Sequence, residues 1–253
     1  MRLNGLRAKF LAGFLPMFIG SFIVFFVISY YLSSNALFQN AERLSQEVGT
    51  STALQIEKTF QQKEMLVEGL SHNQGIIHGD REQRTKILAE MMGQYSGFAM
   101  LAYSDVSGHA FSDKGKDMDR TTRDYIKAVR ETKKPFMTGP SVSGTSGKLI
   151  TVIAYPVLDN GQLAGIVYGT IELEDISKIA GSIKYMDTGR VYIADQAGLV
   201  IAYEQQPDDV GKLDISKETS SRTIDKSLVD AYAKAVQEDK QISAEYKGRT
   251  ART

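Results

Sequence analysis

Cysteine is absent from this chain, which excludes disulfide frameworks, thiol nucleophiles, thiolate metal sites and iron–sulfur clusters. Histidine is scarce. His72, His78 and His109 are too few and too irregularly spaced for a zinc site. Net charge is lacking as well: 30 Lys and Arg balance 30 Asp and Glu over 253 residues, so bulk attraction to nucleic acid has little to act on. None of the patterns HExxH, GxSxG, GxGxxG or GxxxxGKS/T occurs. These absences argue against a nucleic-acid binder and against familiar enzyme chemistry, and no catalytic residue, cofactor or metal is expected.

What is present is one concentrated apolar segment. Phe10 to Leu32 is a run of 23 residues without a charge, 14 of them Leu, Ile, Val or Phe. As a helix it would reach about 34 Å, enough for a hydrocarbon core of roughly 30 Å. Each of those side chains contributes about −0.3 to −0.6 kcal/mol to insertion, which outweighs Pro16 and Gly20. Arg2, Arg7 and Lys9 precede the run and no acid does, so residues 1–9 are expected in the cytoplasm and everything after Leu32 outside. A cleaved signal peptide competes with this reading, but its apolar core would span only about 7 to 15 residues. Without the three basic residues of the tail, 27 remain against 30 acids, an ordinary soluble balance.

From Asn35 to about Ser71 there is no Pro, and Leu37, Ala41, Leu44 and Val48 fall at helical spacing. Residues 33–74 are read as a stalk helix with a dimerisation face, ended by His72-Asn73-Gln74-Gly75. A second helix capped by Asp80 runs to about Met92. The period then changes to two. Phe98 to Tyr103 is a strand, Asp105 to Gly108 a turn, and Ala110-Phe111 the return. A helix from about Thr122 to Glu131 follows, then strands Phe136 to Val142, Leu149 to Val157 and Leu163 to Ile171. Asp159-Asn160-Gly161 joins the last two as a hairpin, and a helix runs from about Asp175 to Ile183.

The pattern then restarts. Tyr103 to Phe111 resembles Ile193 to Ile201, with Asp and Gly each displaced by 90 residues. In both, an Asp-x-x-Gly turn lets Asp bond its own backbone and Gly take positive φ. The second copy continues with a helix near Ser227 to Gln237 and a strand near Gln241 to Tyr246. Its remaining return strands are missing, so the second unit is expected to be incomplete.

The order of these elements resembles the double Cache (dCache) extracytoplasmic sensing region of bacterial methyl-accepting chemotaxis receptors, sensor kinases and diguanylate cyclases. The resemblance is carried by Arg123-Asp124-Tyr125-Ile126-Lys127-Ala128, Thr138-Gly139-Pro140-Ser141-Val142, Ala154-Tyr155-Pro156-Val157, Gly165-Ile166-Val167-Tyr168-Gly169 and Thr188 to Asp195, which together cover most of residues 35–215. It implies an α+β fold: a transmembrane helix (10–32), the stalk, a membrane-distal ligand-binding unit (75–184) and an incomplete membrane-proximal unit (185–253), both PAS-like antiparallel sheets. It also implies a homodimer in the bacterial cytoplasmic membrane that binds a small molecule and passes the signal to cytoplasmic partners. Chemoreceptor ranks first, with a diguanylate cyclase or histidine kinase sensor as the alternative and an anchored hydrolase behind them.

The family pattern puts an Arg, and an aromatic residue two positions later, at the mouth of the distal pocket, matching Arg123 and Tyr125. Two positions apart on a regular helix they diverge, so both meet one ligand only if Arg123 lies in the first turn or the preceding loop, capped by Thr121 or Thr122. In amino-acid-binding members two acids hold the ligand ammonium. Their counterparts here are Ser143 and Thr170, and an aromatic position becomes Ser141. The expected ligand is therefore a carboxylate or other anion. Tyr103, Tyr155 and Tyr168, on strands, are candidates to line the pocket or to be plain core residues. Asp113 to Asp119 is broken by Lys114 and Lys116 and lacks EF-hand spacing, which argues against calcium.

Overall fold

The structure, a computed structural model, describes residues 6–95, 97–144, 146–182, 191–195, 197–216 and 226–238. The chain divides into two units, Met1–Gly49 and Thr50–Thr253. The first consists, in its described part, of a single helical stretch. It belongs to α1 (Leu6–Ser71), the one helix among the described residues long and apolar enough to cross a membrane. Phe14, Phe18, Phe22, Phe25 and Phe26 all stand exposed on it, a surface that water does not tolerate and lipid does.

The second unit begins on the last turns of α1, where Ile56, Phe60, Lys63, Val67 and Leu70 recur at spacings of four and three and turn to the core. Asn73 stops α1 by capping α2 (Gln74–Ile77), accepting a bond from the Gly75 amide at 2.8 Å. Asp80 does the same for α3 (Arg81–Gln94) through the Gln83 amide.

Seven strands form one antiparallel sheet: β1 (Met100–Ser104), β2 (His109–Ser112), β3 (Asp117–Asp119), β4 (Phe136–Met137), β5 (Ser141–Val142), β6 (Leu149–Asp159) and β7 (Gln162–Glu172). The order is β3-β2-β1-β7-β6-β4, with β5 also on β6. The long β6–β7 hairpin closes on Asn160 and Gly161, at φ 49° and 81°, the two positive angles a two-residue primed turn requires. The alternation of side chains then builds two cores. Leu101, Tyr103, Ile153, Val157, Val167 and Ile171 pack against α1, α2 and α3. On the other face Ala102, Ile150, Val152, Ala154, Ile166 and Tyr168 pack against α4 (Asp124–Thr132), which contributes Tyr125, Ile126 and Val129. A third core joins α5 (Leu173–Gly181) to β9 (Val200–Ala202), the partner of β8 (Ile193–Ala194), and is followed in sequence by α6 (Lys226–Glu238).

Several boundaries depart from the sequence reading, each for a physical reason. The strand expected over Phe136 to Val142 is two, because Thr138-Gly139-Pro140 opposes only Thr151 and Val152 across the ladder. Pro140 has no amide to give, and Thr138 ties the bulge down: its hydroxyl accepts from the Val152 amide while its carbonyl accepts from the Thr151 hydroxyl. Helix α4 starts at Asp124 with Arg123 in the cap position, not Thr121 or Thr122. Thr121 is unavailable because its hydroxyl and amide are both given to Asp119. Helix α5 starts at Leu173 rather than Asp175, and the strand expected over Gln241 to Tyr246 lies outside the described residues, as do Thr188 to Arg190.

The repeated turns share most of their bonds. Asp105 and Asp195 each accept backbone amides within their turn, Gly108 and Gly198 take φ of 105° and 93°, and each glycine carbonyl accepts from a returning segment, Arg120 in one copy and Ile215 in the other. That segment repeats too: Asp119 holds Thr121 as Asp214 holds Ser216.

Lys63 is the unusual residue of the first core. It is nearly buried, donates to the Gly97 carbonyl at 2.5 Å and lies 4.7 Å from the Phe98 ring centroid. Burial holds its pKa below the usual lysine range, against the pull of Asp175. Lys63→Ala removes the stem and leaves the carbonyl without this donor, so it is expected to destabilise by about 1–3 kcal/mol in urea unfolding. Lys63→Met keeps the stem and is expected to lose less; equal losses would mean that the bond to Gly97 carries all the effect.

Candidate functional site

The second face of the sheet is only partly covered by α4, and the uncovered part is a cavity of about 590 Å³. Its floor is apolar: Met100, Ile150 and Val152 from the sheet. The bulge Thr138-Gly139-Pro140, with Phe136 and Val142 beside it, forms one wall, the Ser112 to Lys116 turn another, and the first turn of α4 a third. A volume of this order suits a small organic molecule.

Arg123 has extended backbone, φ −75° and ψ 135°, and its carbonyl accepts from the Ile126 and Lys127 amides. The side chain therefore leaves the chain before the helical period begins. This is the geometry that lets Arg123 and Tyr125 line one cavity although two positions apart. No side chain caps α4, so its first amides keep their partial positive charge on the same wall that Arg123 lines. The guanidinium reaches across to Gly144, where a Cβ would stand 2.8 Å from Nη2. Tyr125 is buried against Tyr168, ring centroids 5.1 Å apart. Burial, reinforced by Tyr168, pushes the Tyr125 phenol far above its usual range, and burial raises that of Tyr168 as well. Both stay neutral at physiological pH, and Tyr125, which lines the cavity, brings no charge to it.

Ser141, Ser143 and Thr170 also line the cavity. Three tyrosine placements differ from the pocket reading. Tyr103 and Tyr155 face the opposite core: Tyr103 donates to the Ala164 carbonyl at 3.0 Å and stacks under the Arg84 guanidinium, and Tyr155 packs toward α1. The period of two decides this, since Tyr103 shares its face with Leu101 and Tyr155 with Ile153. Tyr168 shares the face of Thr170 but is wholly buried beneath Tyr125, a support for the wall rather than part of it.

Sequence reasoning missed the acids. Asp113, Asp124 and Glu172 line the cavity with Lys114, Lys116, Arg120 and Arg123, so it is not without fixed negative charge. Glu172 is held by Lys148 at 2.7 Å, and Asp124 is exposed in the first turn of α4, where a carboxylate suits the helix dipole.

Residues 33–250 match the family model of the Cache domain, dCache_1. The chain belongs to the Cache domain family. A similar protein is the methyl-accepting chemotaxis protein PscA of Pseudomonas syringae pv. tomato, 26% identical over 208 residues, 80% of this chain and 33% of that protein. Another is the methyl-accepting chemotaxis protein McpA of Pseudomonas putida, 25% identical over 204 residues, 77% of this chain and 31% of that protein. The chain thus spans about a third of the length of the curated relatives it matches. Among solved structures, the Cache fold matches the ligand-binding domain of the Pseudomonas aeruginosa amino acid chemoreceptor PctC in complex with GABA, at TM-score 0.58 and 25% identity over 67% of this chain and 78% of that one. The ligand-binding domain of the Pseudomonas fluorescens chemoreceptor CtaA, in complex with L-isoleucine, matches in fold at TM-score 0.61 and 19% identity, over 76% and 79%. These Cache relatives are receptors, not enzymes.

Proposed function

We propose that the chain is the extracytoplasmic ligand-sensing region of a bacterial transmembrane chemoreceptor and that its cavity binds a small carboxylate at Arg123. The observation that carries this reading is Arg123 at the uncapped start of α4, lining a cavity with an apolar floor, in a family whose similar members are chemotaxis proteins. The anchor is the apolar stretch of α1, and the bases at Arg2, Arg7 and Lys9 support an inward N-terminus. Residues 75–184 act as the membrane-distal unit and 185–253 as part of a proximal one. The exposed apolar side chains of the stalk, Leu37, Phe38, Leu44 and Leu54, favour pairing with a second copy. Ligand binding then favours one arrangement of the stalk helices and biases cytoplasmic signalling partners.

The test is thermal denaturation of the full chain in detergent against a panel of organic acids, amino acids and amines. At least one carboxylate is expected to raise the melting temperature. Arg123→Ala is expected to weaken its binding roughly 10- to 100-fold, the worth of one charge-assisted bond. A panel without any stabilising carboxylate, or an Arg123→Ala variant that responds like the wild type, would refute the site.

A further inference from the structure

Helix α3 packs in the core on the face of the sheet opposite the cavity, yet one of its side chains reaches a cavity wall from outside. That wall is the turn between β2 and β3, and β3 is a three-residue strand at the end of the sheet order, with a neighbour on one side only. A hairpin at a sheet edge is held by fewer bonds than the strands inside it. The root of this one is fixed. The Ser112 amide donates to the Lys116 carbonyl at 3.0 Å, the Gly115 amide to the Ser112 carbonyl at 2.8 Å, and the Asp113 amide to the Leu101 carbonyl of β1 at 2.8 Å. The outer side is held by Arg81, the first residue of α3. Its Nη2 donates to the Gly115 carbonyl at 3.1 Å and lies 2.7 Å from Asp117 Oδ1, and the guanidinium is 5.2 Å from the Phe111 ring centroid. One planar cation thus engages β2, the turn and β3 together. Gly115 has φ 71°, and a Cβ there would stand 3.9 Å from Thr85 Cγ2, so the turn lies close against α3. The inner side of the same turn, Ser112, Asp113, Lys114 and Lys116, lines the cavity.

We propose that Arg81 is a positioning residue for the cavity: it touches no guest, and by holding the β2–β3 turn against α3 it keeps that wall at the separation a guest requires. This rests on the reading of the cavity as the ligand site and names what sets its width. The pair of Arg81 with Asp117 is exposed, so it adds little to the stability of the whole unit. A turn at a sheet edge needs little to displace it, however, and a wall displaced for part of the time lowers the apparent affinity in proportion. The support is itself anchored. Arg84, one turn further along α3, donates to the Ile76 and Ile77 carbonyls at 2.8 and 2.9 Å, which fixes α3 to α2.

Because the chain has no cysteine, Lys114→Cys on the turn and Lys127→Cys on α4, both exposed positions, take nitroxide labels without background. Pulsed electron paramagnetic resonance on the full chain in detergent, diluted with unlabelled chain, measures the distance between them. With Arg81 in place one narrow distribution is expected, and with Arg81→Gln one about twofold wider. In calorimetric titration with the straight-chain carboxylates from acetate to hexanoate, the unlabelled Arg81→Gln chain is expected to bind the best of them roughly 2- to 5-fold more weakly than the wild type. Its melting temperature is expected to stay nearly unchanged, which separates positioning from folding. Asp117→Asn tests the same bond from the other side: it is expected to give part of both effects, and none beyond those of Arg81→Gln when the two are combined. A distribution that stays narrow in Arg81→Gln, or a wider one with unchanged affinity, overturns the proposal. If the wild type binds none of these acids, the carboxylate seat at Arg123 falls, and the distance measurement still decides whether Arg81 holds the wall.

Discussion

Ile126→Ala is expected to lower the stability of the second unit by about 2–5 kcal/mol, which for a domain of this size lowers the melting temperature by roughly 2–4 °C per kcal/mol. Ile126 is wholly buried, in the same core as Val129, Ile166 and Tyr168, and belongs to the face by which α4 is docked on the sheet. Truncation removes its transfer free energy and leaves a space that the sheet, held by a continuous ladder from β1 through β7 to β6, is poorly able to close. Circular dichroism during urea unfolding measures the loss. A loss below about 1 kcal/mol would mean that α4 is not docked as described, since that is less than the usual cost of emptying such a site.

Gly108→Ala is expected to cost about 2–4 kcal/mol, for two reasons that act together. The backbone there has φ 105°, which a side-chain-bearing residue rarely adopts. A Cβ would also stand 2.6 Å from Thr121 Cα and 2.8 Å from its amide nitrogen. Backbone atoms cannot swing aside as a side chain can, and this stretch is pinned by the Arg120 amide on the Gly108 carbonyl and by the Asp119 bonds to Thr121. Denaturant unfolding again gives the number. A neutral substitution would show that the returning segment yields freely and that the turn is not the rigid device drawn here.

The parts of this molecule legible in the sequence are those written in local rules. Asp105 with Gly108, Asp195 with Gly198, and Asn160-Gly161 each specify their turn within four residues, and the structure has all three. The stretch Phe10 to Leu32 announces itself by length alone. What failed depended on information outside the local window. Alternation assigns Tyr103 to the face of Leu101 and Tyr168 to that of Thr170, yet it does not say which face will be left open as a cavity; the docking of α4 decides that. The third leg of the repeat is hidden in the sequence because Asp119 and Asp214 lie 95 residues apart whereas the turn residues lie 90 apart, so a fixed offset loses it. In sequence, Asp113 stands out only as the first acid of a stretch that lacks calcium-loop spacing. Its burial comes from the closure of the turn against β1, a contact that no spacing encodes. The split of the strand over Phe136 to Val142 was signalled by Pro140, whose missing amide forbids an unbroken ladder.

The bond between Lys63 and the Gly97 carbonyl ties the last turns of α1 to the strand end beside the cavity. Ala99, two residues further on, donates its amide to the Thr170 carbonyl at 2.7 Å, and both Ala99 and Thr170 touch the cavity. Two residues of chain span at most about 7 Å, so the bond from α1 and the bond that ties Ala99 to β7 are set close together on one short stretch of backbone. Loss of the Lys63 stem is therefore expected to loosen the backbone next to Ala99 as well as the helix that carries it.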